Sequence, residues 1–222
     1  DPYDCKYKID RDFIKNENNR RKFYAEQLGI NNLFHPQIND LINENPITNK
    51  LIEDKEVEFQ KFINHSYGIF SVSLDYRNQH LWEMFGGNNK GFCVGLDFQG
   101  ILPLNQGTKG RVKYKEIEQL PKSKVLNYDN DCEMINYVFD LLLTLPIDFI
   151  DEREYRMKRT FSNDSERKIK ISKNHIKSII LGRKMTAAQR EEIIELIEKY
   201  LPYTKIKRLK YKNGKIMEID LN

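Results

Sequence analysis

The chain has 222 residues, 39% hydrophobic and 32% charged, enough for one well-packed domain and too few for an elaborate multidomain protein. Thirty-seven Lys and Arg against 33 Asp and Glu leave +4, too mild to mark a nucleic-acid or membrane binder on charge alone. No stretch approaches the ~20 apolar residues that a membrane helix needs.

The opening Asp1-Pro2-Tyr3-Asp4 has neither an initiator Met nor a signal-peptide pattern, and reads as the continuation of a longer polypeptide. Arg11 to Leu28 is charged, carries Phe13, Ile14, Phe23, Tyr24 and Leu28 at helical spacing, and stops at Gly29. Asn31 to Asn49 reads as loop with one short helix around Ile38 to Asn43, and Lys50 to Ile63 returns to helical spacing. At Tyr67 the texture changes. Tyr67 to Ser73 is β-branched and aromatic and predicts a strand, followed by strands at Gly91 to Phe98 and Arg111 to Lys115. A helix is expected from Asp131 to about Leu145, ended by Pro146. Three more strands are expected at Glu154–Thr160, Lys168–Ser172 and Ile176–Gly182. Thr186 and Gln189 make a capping box for a helix with Ile193, Ile194, Ile197 and Leu201 on one stripe. Strands Thr204–Tyr211 and Lys215–Leu221 flank Asn213-Gly214, a strong hairpin signal. With helices first, strands later and no regular βαβ alternation, the expectation is α+β: a single domain over 1–222, with a mainly antiparallel or mixed sheet and a helical N-terminal third.

Three cysteines, Cys5, Cys93 and Cys132, odd in number and far apart, fit a reduced, cytoplasmic compartment with no disulfide framework. His35, His65, His80 and His175 never fall at i, i+4, so no metal site is expected. Phosphate-loop, dinucleotide and nucleophile-elbow signatures are absent.

Three segments have side chains suited to chemistry. On a strand, Ser71 and Ser73 point to one face while Phe70 and Val72 point to the core; paired hydroxyls bind a ribose or phosphate oxygen, or pair across a sheet. Leu81 to Gly91 holds the only tryptophan, Trp82, beside a glycine turn; its ring is either a surface for a nucleotide base or core filling. In Asp151-Glu152-Arg153-Glu154-Tyr155-Arg156, an extended backbone would line up Glu152, Glu154 and Arg156 on one face. That makes two carboxylates about 7 Å apart with an anion-clamping arginine, or a salt-bridged ladder. A fourth feature is basic: Lys205, Lys207, Arg208 and Lys210 lie in a hairpin with no acidic residue between positions 199 and 217. Such a hairpin tracks phosphates or guards a sheet edge.

In this order the segments resemble a large bacterial family catalogued as domain of unknown function 2971. The resemblance runs through Asp1-Pro2-Tyr3-Asp4, Phe70 to Ser73, Leu81 to Phe85, Lys90-Gly91-Phe92, Val112-Lys113-Tyr114, Glu152 to Arg156 and Ile179 to Gly182. Met84 and Phe85 stand where the family has His and Tyr, and Phe149 where it has Trp. The order of a Ser-x-Ser strand and a Glu-x-Glu strand is in turn similar to ADP-ribosyltransferases. That similarity implies NAD as cofactor, Glu154 as the catalytic carboxylate, Glu152 as its acceptor-side partner, Ser71 and Ser73 as scaffold, and Trp82 and Arg156 as nucleotide contacts. A nucleic-acid-binding or nucleic-acid-processing module using the basic hairpin, and a non-catalytic sensor or partner-binding subunit, stand as the alternatives.

Overall fold

The computed structural model of the chain describes residues 6–97, 101, 108–124, 131–161, 164–168, 170–212 and 215–221. The opening Asp1-Pro2-Tyr3-Asp4, Phe98 and the Asn213-Gly214 turn lie outside these residues. The fold is α+β with mixed and antiparallel sheets and a helical N-terminal region, as the sequence leads one to expect. Its residues gather into two compact units, Asp1–Gly68 with Val112–Asp148, and Ile69–Arg111 with Phe149–Asn222.

In the first unit, the run expected as one helix is two: α1 (Arg11–Lys15) and α2 (Glu17–Leu28). Asn16 between them is extended and its side chain accepts from the Asn19 N–H, so a cap-forming residue restarts the helix. Gly29 ends α2 at φ 66, in the left-handed region. Helix α3 (Pro36–Glu44) lays Ile38 and Ile42 on Ala25 of α2, and α4 (Asn49–Ser66) is capped by Thr48. From α4, Glu56 takes the Ile9 N–H at 3.0 Å and the Lys8 ammonium at 3.1 Å. Tyr7 stacks on Phe59 with ring centroids 4.8 Å apart.

Two expectations shift around residues 111–146. The strand expected over Arg111–Lys115 is broken at buried Val112 into β3 (Thr108–Arg111) of the second unit and β4 (Lys113–Lys115) of the first. Helix α6 (Asp131–Leu142) stops short of the expected Leu145, and Thr144–Pro146 is a buried strand, β5, paired in parallel with β4. Here the β-branched Thr144 turns its hydroxyl back onto the Asp140 carbonyl at 2.7 Å, closing the helix end.

The second unit holds two sheets. One has the order β1–β6–β3, from β1 (Tyr67–Ser73, whose first two residues belong to the first unit), β6 (Glu154–Thr160) and β3. The other has the order β2–β7–β8–β9, from β2 (Phe92–Leu96), β7 (Ile176–Leu181), β8 (Lys205–Lys212) and β9 (Lys215–Asp220). Helix α7 (Ala187–Tyr200) opens on the expected Thr186–Gln189 capping box and links β7 to its parallel neighbour β8, a single βαβ step in an otherwise antiparallel sheet. Its apolar stripe covers Ile179, Leu181 and Ile206. The opposite face of this sheet takes Trp82 of α5 (Gln79–Met84) onto Ile180 and Leu209. No strand forms over the described part of Lys168–Ser172; Ile171 instead packs onto Met157 of β6.

Candidate functional site

Two adjacent strands, β1 and β6, bring the serine and glutamate segments together. Along β6, Tyr155 and Met157 point one way while Glu154, Arg156 and Lys158 point the other. Met157, 2% exposed, packs with Phe70 of β1, so these two side chains share a face. Alternation then puts Ser71 and Ser73 on the opposite face, with Glu154, Arg156 and Lys158. The third strand adds Thr108 opposite Lys158 and Gly110 opposite Arg156. One face of this sheet is therefore apolar, and the other carries hydroxyls, a carboxylate and two cations.

The ends of β1 and β6 are laced at a corner. Ser73 Oγ donates to the Glu152 carbonyl at 2.8 Å and accepts the Asp75 N–H at 3.0 Å. The Leu74 N–H donates to the Arg153 carbonyl at 3.0 Å, and the Asn78 side chain donates to the Asp151 carbonyl. Arg153 also reaches Asp75 Oδ2 at 3.4 Å. The corner corrects the expectation that Glu152 and Glu154 sit on one extended strand. Glu152 is the last residue of a 3-10 turn, Ile147–Glu152, and Arg153 is held at φ 47, in the left-handed region that side chains other than glycine rarely adopt. That reversal takes Glu152 off the strand, and the alternation of β6 begins only at Glu154.

Glu154 and Arg156 form a two-point pair: Nε donates to Oε2 at 2.7 Å and an Nη2 hydrogen goes to Oε1 at 3.3 Å. Their side chains are 12% and 2% exposed. The arginine is thus an internal partner of Glu154 and does not stand free as an anion clamp. Lys158, 3% exposed, lies two positions further along the same face. The signal for it in the sequence is the two-residue alternation of Glu154 and Arg156, carried one step beyond the segment Asp151 to Arg156.

Trp82 is not a stacking platform. It is 4% exposed, its indole N–H donates to the Tyr76 carbonyl at 2.6 Å, and its ring packs with Ile180 and Leu209. Cys93, a free thiol, joins the same cluster, where burial raises its pKa and keeps it protonated and unreactive. Cys5 and the side chain of Cys132 lie outside the described residues.

The basic hairpin is partly neutralised from within. Lys207 Nζ sits 3.0 Å from Glu218 Oε1 and 4.0 Å from Asp220. The Glu218 hydrogen bond raises the Lys207 pKa. Burial works to raise Glu218, but the hydrogen bonds and charge of Lys207, with Tyr76 and Arg77 beside it, outweigh burial and hold the carboxyl below its usual range. Tyr76 is raised in turn, first by burial and then by Glu218. Arg208 and Lys210 project to the other face from Lys207, with Ile206 buried between β8 and α7, so the four basic residues do not form one continuous stripe. Lys205 and Lys210 are exposed.

Among the described residues no three metal-ligating side chains gather, and no helix is long and apolar enough to cross a membrane. No protein-family model, curated protein or solved structure matches the chain.

Proposed function

We propose that the polar face of the β1–β6–β3 sheet binds NAD and that the chain is an ADP-ribosyltransferase-like enzyme. The reading rests on one observation above all. Ser71, Ser73 and Glu154 come from segments about 80 residues apart along the chain, yet they share one face of neighbouring strands, tied by the 2.8 Å bond from Ser73 to the Glu152 carbonyl. Core packing alone gives them no reason to meet.

In this reading each group has a task. Ser71 is exposed and its hydroxyl is uncommitted among the described contacts, which suits it to a ribose oxygen. Ser73 is spent on the corner and acts as scaffold. The bond between nicotinamide and ribose C1′ breaks, nicotinamide leaves with the electron pair, and C1′ takes on oxocarbenium character. A carboxylate fixed near C1′ stabilises that charge without reorganising. Arg156 does the fixing: a two-point pair holds the Glu154 carboxylate in one rotamer. The acceptor nucleophile then bonds to C1′ and gives up its proton, with Glu152 at the corner as the base on the acceptor side. Trp82 has no part in this, since its ring is enclosed. A cytoplasmic location follows from the same reading, because NAD is an intracellular substrate.

The test is incubation of the full chain with NAD, following nicotinamide release and label transfer to an acceptor. Ser71→Ala is expected to weaken NAD binding roughly tenfold with an unchanged melting temperature, since it loses one hydrogen bond to ligand and none to protein. Glu154→Gln is expected to lower turnover at least a hundredfold while NAD still binds. A full chain that neither binds nor cleaves NAD refutes the proposal.

A further inference from the structure

We propose that the turn joining α7 to β8, with the start of β7 beside it, is a binding surface for single-stranded nucleic acid, built from Tyr200 and Tyr203 and the ammonium groups of Lys173, Lys199 and Lys205. This surface lies in the second unit and is independent of the NAD reading.

Two tyrosines, one closing α7 and one in the turn after it, point outward. Tyr203 is 95% exposed and Tyr200 is 49% exposed, while Leu201 between them packs into the apolar cluster under α7. The backbone beneath them is fixed. The Leu201 N–H bonds to the Ile197 carbonyl at 2.7 Å and the Thr204 N–H to the Leu201 carbonyl at 2.9 Å. Thr204, 4% exposed, pins the turn to β7 by donating its hydroxyl to the Ile176 carbonyl at 3.0 Å. The rings are therefore presented on a rigid base, which lowers the ordering cost of binding.

Charge surrounds them. Lys199 Nζ lies 5.0 Å from the Tyr200 ring centroid and Lys173 Nζ lies 6.0 Å from it, so two ammonium groups flank one ring. Lys205 is exposed at the first position of β8, and none of these three lysines pairs with a carboxylate among the described residues. The neighbouring basic residues differ. Lys177 and His175 face Asp97 at 3.8 and 4.0 Å, which closes the patch on that side, and Lys207 is held by Glu218. Glu195 and Glu198 of α7 are exposed nearby and bound the patch along the helix.

Free cations beside flat, solvent-facing rings match what an unpaired nucleic-acid strand offers, phosphates at regular spacing and bases with open faces. A duplex hides its base faces, and an acidic peptide has charge without rings. The cation-flanked tyrosine therefore favours the single strand.

The experiment uses the full chain and a fluorescein-labelled oligo-dT or oligo-U of about 12 nucleotides, the footprint of a small single-strand binder, followed by anisotropy across a salt series. Three phosphate contacts predict a log–log salt slope near −2. Replacing Lys173, Lys199 and Lys205 together by Gln is expected to flatten that slope nearly to zero. Tyr203→Ala is expected to weaken binding about tenfold with the slope kept, because stacking carries no counterion release. Both variants should melt with the parent, all four side chains being exposed. Ser71→Ala and Glu154→Gln should bind the oligonucleotide normally, which separates this surface from the NAD face. The proposal is overturned if the parent chain does not bind the oligonucleotide, if the triple variant retains the slope, or if phosphatidylserine vesicles bind and the oligonucleotide does not.

Discussion

Gly182 ends β7 at a place where no side chain fits. Its φ is not in the left-handed region, so an alanine there costs nothing in backbone conformation and everything in contact. A methyl group at Gly182 would be driven into the Asn89 carbonyl oxygen and would stand 2.7 Å from the Gly91 carbonyl oxygen. Both obstacles are backbone, and both are already engaged: Gly91 O accepts the Gly182 N–H and Asn89 O accepts the Lys184 N–H, each at 2.9 Å. Relief requires moving the 86–91 turn away from β7 and breaking those bonds. Overpacking costs about 1–3 kcal/mol and each lost bond about 1 kcal/mol, so Gly182→Ala should destabilise by about 3–5 kcal/mol. For a chain of this size that lowers the melting temperature by about 6–20 °C. Trp82 is the only tryptophan and its carbonyl accepts the Asn89 N–H at 3.0 Å, so urea unfolding followed by its emission reads the affected region directly. Gly95 supplies the contrast. A methyl there meets only the Ser178 hydroxyl, and Ser178→Ala should rescue Gly95→Ala while leaving Gly182→Ala unrescued. A loss under about 1 kcal/mol at Gly182, or equal rescue of both, would refute the reasoning.

Other outcomes follow from the same geometry. Glu56→Ala strands the buried Ile9 N–H and frees Lys8 and Arg11, and should cost about 2–3 kcal/mol by chemical denaturation, with Glu56→Gln recovering part of it. Glu218→Gln should destabilise slightly at neutral pH, by under about 1 kcal/mol given the partial exposure of the pair. Because the Glu218 carboxyl is held below its usual range, that gap should persist at pH 5 and close only as acid protonates the folded carboxylate; Lys207, raised by the same partner, contributes until strong alkali removes its proton. A pH-independent gap would show that the pair acts through packing. Trp82→Phe loses the 2.6 Å bond to the Tyr76 carbonyl and should cost about 1–2 kcal/mol, read by circular dichroism; no change would mean that water replaces the indole N–H.

What the sequence made legible was local. The strand at Tyr67–Ser73 and the capping box at Thr186 sit within a few residues of their own signals, and the Lys205–Asp220 hairpin brackets its turn residues. The break at Asn16 was legible in principle, since Asn is a good cap, but the apolar spacing on either side masked it. Long-range pairing was not legible. Val138 to Leu145 is largely apolar, interrupted only by Asp140 and Thr144, and its partner strand at Lys113–Lys115 decides that Thr144–Pro146 leaves the helix. The same limit governed the candidate site. Alternation puts Ser71 and Ser73 opposite Phe70, yet nothing in Glu152-Arg153-Glu154 announces a left-handed Arg153, because the Ser73, Leu74 and Asn78 partners that hold the corner lie 73–79 residues before the groups they bind. The sequence allows two readings of Trp82, because its burial depends on β7 and β8, neither of which is near it in the chain.

The central strand of the serine sheet is made late. Ser73 and the Glu152 carbonyl it binds are 79 residues apart, and β6 is the neighbour of both β1 and β3. At a synthesis rate of about 5–20 residues per second, β1 leaves the ribosome roughly 4–16 seconds before its partner β6 exists. During that interval Tyr67, Ile69, Phe70 and Val72 form a short sticky segment with open backbone on both edges. Ser71 and Ser73 interrupt it with polar groups on alternate positions. The hydroxyl proposed for a ribose and the one that laces the corner would then serve first as guards for the growing chain, keeping an unpaired strand from finding the wrong neighbour.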